Sequence, residues 1–103
     1  MTKVEIEACL DINDVRRNID EIDEAIVSLV AKRGAYVKQA SKFKTTKAEV
    51  EAPKRVEQVL LKVAQVAECK GANVKVVQSI WQAMICAFIE VEKEELAKKF
   101  SDS

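Results

Sequence analysis

The sequence predicts an all-α protein: one long helix and two shorter ones in a single domain, with the long helix expected to pair with that of a second copy. Three observations carry this. Only two glycines and one proline occur in 103 residues, so the chain has few places to turn and a β-rich fold with many tight turns is disfavoured. Apolar residues recur at alternating three- and four-residue spacing from Ile12 to Phe43, the seam of a long packed helix. Apolar residues make up 49% of the chain and charged residues 33%, a balance that supports a globular core.

The first helix is expected over about residues 12–43. Its seam runs Ile12, Val15, Ile19, Ile22, Ile26 and Leu29, then Tyr36, Ala40 and Phe43. Asp11 or Asn13 can cap its start, and Asp14 and Asp20 sit towards the end of the helix dipole that favours anions. Lys44 to Ala52 loses the spacing and reads as a loop, although its composition also permits a mobile or partly helical segment. Pro53 suits the first turn of a second helix, where its missing N–H costs nothing. Val56, Val59, Leu60, Val63 and Ala67 form the buried stripe of that helix, and Lys70-Gly71 ends it.

Asn73 is a suitable cap for the third helix, with Val77, Ile80, Trp81, Met84, Ile85, Phe88 and Ile89 on its inner face. Trp81 reads as core and Cys86 as a small buried hydrophobe. Fraying is expected from Lys98 onward, so one domain spans 1–103 with its core over about 12–97. A helix of ~30 residues is ~45 Å long, against a radius of gyration near ~13 Å for a compact domain of this size. Two shorter helices cannot cover that seam within one chain, so pairing of first helices is expected.

Composition narrows the chemistry. Lysine plus arginine equals aspartate plus glutamate at 17 each, which argues against a nucleic-acid or membrane-surface protein. No apolar run approaches the ~20 residues of a membrane span. Met1 to Leu10 lacks a secretory layout, so a cytoplasmic location is the default expectation. Cys9, Cys69 and Cys86 read as free thiols. The absence of histidine removes Ser-His and Cys-His nucleophile pairs, and with no Cys-x-x-Cys a metal site is not expected. No cofactor is expected either. Catalysis would rest on Arg, Lys, Glu and Asp.

Several charged residues interrupt the apolar faces. Arg33 occupies the seam position that follows Ile12, Ile19 and Ile26 at seven-residue steps. A guanidinium there is costly unless it meets an anion, whether a buried carboxylate of the protein or a ligand. Glu92 continues the face of Ile85, Phe88 and Ile89, or else lies just past it among exposed glutamates. Lys44 follows Arg33 by three helical turns and returns to nearly the same face, while Arg55 can approach from across the loop. Together these cations beside an apolar wall suit a small ligand with more than one negative charge.

The spacing Arg16-x16-Arg33-x10-Lys44, followed by Arg55 and Glu92, resembles the all-helical chorismate mutase class. The strings RRNIDEIDEAIVSLVAKR, YVKQASKFK, APKRV and MICAFIEVE carry the resemblance over about residues 12–95. It implies an intertwined dimer with two equivalent sites. Arg33, Lys44, Arg55 and Glu92 would come from one chain and Arg16 from the other, with Ile85 and Ile89 in the apolar wall. Arg16 and Arg33 would hold the two carboxylates of a dianionic substrate.

The implied reaction is the pericyclic rearrangement of chorismate to prephenate, which needs no cofactor. Lys44 would stabilise negative charge growing on the ether oxygen. Glu92 would approach that oxygen from the other side and can help only as a hydrogen-bond donor, so activity is expected to fall as rising pH ionises it. Isochorismate pyruvate lyases resemble the chain too, through SKFK and APKRV. Many mutases carry Glu directly after the arginine matching Arg55, to bind the substrate hydroxyl, where this chain has Val56, a departure towards the lyase. Glu92 points to the mutase, since the lyases usually have glutamine there. The first product leads towards aromatic amino acids, the second is salicylate. A non-catalytic helical dimerisation or regulatory module is the third alternative.

Overall fold

The computed structural model describes residues 4–101, and among them every element is a helix. Helix α1 spans Ile12–Ser41, α2 Lys47–Glu51, α3 Pro53–Lys70 and α4 Val74–Ser101. The all-α class and the three main helices are as expected.

Asp11 starts α1, its side chain accepting the Asp14 N–H at 2.8 Å from an extended backbone. The helix stops at Ser41, two residues short of the predicted Phe43. Beyond it the N–H groups of Lys42, Phe43 and Lys44 reach carbonyls three residues back at 3.0–3.2 Å, a tightened final turn.

The predicted loop after Lys44 contains a single helical turn, α2. The hydroxyl of Thr46 accepts the Glu49 N–H at 3.1 Å, while Glu49 Oε1 accepts from the hydroxyls of Thr46 and Thr45, each at 3.1 Å. Those hydrogen bonds, Thr46 first, hold the Glu49 carboxyl below the usual carboxylate range. Val50 is buried at 3% exposure and pins the turn to the body of the fold.

Between α2 and α3 the chain turns at Ala52, a left-handed residue at φ 36°. Pro53 disfavours right-handed helical geometry in the residue before it, so α2 cannot run straight into α3. Gly71, at φ 75°, ends α3, with the N–H of Ala72 on the Ala67 carbonyl at 2.8 Å. Asn73 then caps α4, accepting the Val76 N–H at 3.1 Å.

Helix α4 is the element on which the others pack: α3 along its length, α2 beside it, and α1 through its C-terminal part. The buried set is small. Val50, Ala67 and Ile85 are buried, and so is one charged residue, Glu92, at 6% exposure. Trp81 is half-buried. Cys86 is exposed, contrary to the sequence reading, and Ile80 is 53% exposed, because neither α1 nor α3 covers that side of α4. The predicted fraying from Lys98 is not found: α4 continues to Ser101, and Lys99 Nζ donates to the Ser41 carbonyl at 2.9 Å, capping the end of α1.

Among the described residues nothing covers the N-terminal seam of α1. Ile12, Val15, Ile19, Ile22, Ile26 and Leu29 are all between 37% and 64% exposed, and no residue of α1 is buried. The radius of gyration is accordingly 17.3 Å, with extents of 60 × 26 × 19 Å. Against the sequence reading, α4 is long and apolar enough to cross a membrane by length and composition alone, a test that core helices also pass.

Candidate active site

The four helices enclose a cavity of about 300 Å³. Its wall draws Arg33, Tyr36 and Val37 from α1, Lys44 from the following turn, and Val50 and Glu51 from α2. Ala52 forms one corner. Helix α3 supplies Arg55, Val56 and Val59, and α4 supplies Ile85, Phe88, Ile89 and Glu92. Six of the seven residues singled out from the sequence therefore meet in one place: Arg33, Lys44, Arg55, Glu92, Ile85 and Ile89.

The seventh, Arg16, does not. It lies 17 residues before Arg33 on the same helix, ~26 Å along the axis and beyond the reach of an arginine side chain. Its side chain is exposed on the uncovered half of α1.

Glu92 is the charged residue at the bottom of the cavity. Lys44 Nζ lies 2.8 Å from its Oε2, and Ser41 Oγ lies 3.0 Å from the same oxygen. The lysine side chain is 24% exposed and the glutamate 7%, so the pair is shielded from water far better than a surface ion pair. An ammonium carries three donors. One is spent on Glu92, leaving others for the cavity. Ser41 Oγ is also 3.1 Å from the Val37 carbonyl, one turn back in α1.

Arg33 is held differently. Its guanidinium carbon lies over the Phe88 ring, 5.4 Å from the centroid. The two helices approach closely beside it at Gly34, where an added Cβ would lie 3.1 Å from the Phe88 ring. At the mouth, Glu51 Oε2 lies 3.3 Å from Lys93 Nζ, which also reaches Glu90 at 3.6 Å.

The arrangement is an apolar slot with fixed cations on several sides. Among the described residues no group of three or more Cys, Asp or Glu side chains is placed to hold a metal ion. Sequence reasoning missed Ser41, Glu51 and Lys99. The first two lie within stretches it had singled out, but nothing in their spacing marked them. The helical start at Thr46 was signalled by the Thr-x-x-Glu capping pattern.

The chorismate mutase type II family matches residues 15–93, and the chain belongs to that family. A relative from Pseudomonas aeruginosa named isochorismate pyruvate lyase is 37% identical over 83 residues, which are 81% of this chain and 82% of the relative.

Proposed function

We propose that the protein is a chorismate mutase that converts chorismate to prephenate without a cofactor, working in the cytoplasm as an intertwined homodimer. The observation that carries this reading is the shielded Lys44–Glu92 pair in a cavity also lined by Arg33 and Arg55. The reaction is unimolecular and needs its substrate folded so that the enolpyruvyl group lies over the ring. An apolar slot bounded by fixed cations supplies that confinement. Breaking of the ether bond builds negative charge on oxygen, and Lys44, already oriented by Glu92, is the cation to meet it.

Glu92 faces the same oxygen from the other side and donates to it when protonated. Arg33 binds one carboxylate, Arg55 approaches from α3, and Ile85 and Ile89 form the apolar face against the ring.

A dianionic substrate carries two carboxylates, of which Arg33 binds one. Arg16, exposed on a helix whose seam is itself uncovered, is the residue a second copy would bring. It would hold the other carboxylate.

Isochorismate pyruvate lyase, giving salicylate and pyruvate, is the second reading. The name of the Pseudomonas aeruginosa relative favours it, as does Val56 at the position following Arg55. One purified sample assayed on both substrates separates the two. Faster formation of prephenate from chorismate supports the mutase, and faster release of salicylate and pyruvate from isochorismate supports the lyase. Turnover of neither leaves a helical dimerisation module, for which Arg33→Ala would have no effect on binding of either compound.

A further inference from the structure

The cavity holds two carboxylates although its ligand is an anion, and their surroundings assign them different work. Glu92 is buried, with Oε2 already engaged by Lys44 and Ser41. Glu51 sits at the mouth, 46% exposed, at the last position of α2 and directly before the left-handed corner at Ala52. A bare carboxylate there would repel a dianion. Lys93 of α4, 3.3 Å away, offsets that charge and fixes where the group lies.

Both substrates under consideration carry a ring hydroxyl, and its position on the ring is what distinguishes chorismate from isochorismate. Of the groups lining the mouth, Val50, Ala52 and Val56 have no polar side chain, and Arg33 and Arg55 only donate. Glu51 and the Tyr36 hydroxyl are the acceptors left at the mouth. A carboxylate makes the stronger bond to a hydroxyl.

Resting on the reading of the cavity given above, we propose that Glu51 accepts the substrate's ring hydroxyl, with Lys93 as its positioning residue, and so sets which of the two substrates is preferred. A site built to bond a hydroxyl discriminates against a ligand that presents it elsewhere, because the acceptor is then left unpaired. Lys93 never touches the substrate. It acts by keeping the Glu51 carboxylate at the mouth.

The test is kcat/KM on chorismate and on isochorismate for wild type, Glu51→Ala, Glu51→Gln, Lys93→Met and Tyr36→Phe, each checked for helicity by circular dichroism. Glu51→Ala is expected to lower kcat/KM on the preferred substrate by about ten- to hundredfold, and less on the other, so that the preference shrinks. Glu51→Gln keeps an acceptor oxygen and should fall between. Lys93→Met should shift the ratio in the same direction by a smaller factor, with Tyr36→Phe unchanged. An unaltered ratio in Glu51→Ala overturns the assignment, and so does a ratio that moves with Tyr36→Phe instead. Wild-type inactivity on both substrates overturns the reading of the cavity, and the role of Glu51 with it.

Discussion

A serine hydroxyl carries one proton, and Ser41 has two oxygens within reach of it: the Val37 carbonyl at 3.1 Å and Glu92 Oε2 at 3.0 Å. When Glu92 is ionised, Ser41 can donate to it. When Glu92 is protonated, Ser41 can accept from it and donate to Val37 instead. The local network therefore accommodates either form of Glu92. If Glu92 donates to the ether oxygen, Glu92→Gln keeps a donor there and should retain far more of the wild-type rate than Glu92→Ala. Equal losses in the two variants would reduce Glu92 to an anchor for Lys44. Ala52 offers a residue-scale test of stability. A left-handed conformation costs a residue with a Cβ roughly 1–2 kcal/mol, and glycine gives back about 0.5–1 kcal/mol through its looser unfolded chain. Ala52→Gly should thus stabilise the fold by up to about 1 kcal/mol in urea titration, and a clear loss of stability would contradict the geometry.

Helix α2 is too short to stand alone, and it persists because its two ends are fastened: Thr46 and Glu49 at the start, buried Val50 near the finish. The depressed Glu49 carboxyl gives one of these fastenings a pH dependence. A group whose folded-state value is lowered stabilises the fold above its unfolded value, and the contribution disappears as pH falls through the folded one. Acidification through and below the ordinary carboxylate range should therefore loosen α2 before the long helices. The amide shifts of Thr46 and Glu49 would report it, and Glu49→Gln should remove the dependence. The long helices were legible in the sequence because an apolar repeat and scarce Gly and Pro leave little choice, and Pro53 and Gly71 mark α3 by local chemistry. Helix α2 escaped because five residues are too few to show a period. The Ser41–Glu92 and Ser41–Lys99 contacts join residues 51 and 58 positions apart, and no local pattern encodes such pairings. Of the candidate site, Arg33 and Glu92 were legible as charges out of place on apolar faces, Lys44 and Arg55 by their placement relative to Arg33, and Arg16 only through the family resemblance. Glu51 was not, since a glutamate in a polar segment is unremarkable until its neighbours are known.

At the scale of the whole molecule, the cavity and the uncovered seam of α1 pose the same question, and the proposed second copy would answer both. Mixing two inactive variants tests it. Chains carrying Arg16→Ala and chains carrying Arg33→Ala, unfolded and refolded together in equal amounts, should recover about one quarter of wild-type activity. Half the dimers would be mixed, and each mixed dimer would hold one intact site. No recovery, with each variant folded and paired, would mean that Arg16 serves its own chain or no site at all. The seam has a further consequence, for the order of events in biosynthesis. Helix α1 precedes the other three helices in the chain, yet among the described residues nothing that follows covers its N-terminal half. A newborn chain thus carries an adhesive stripe with no shelter of its own. If a second copy is what hides that stripe, the yield of folded protein should rise with the local concentration of newborn chains.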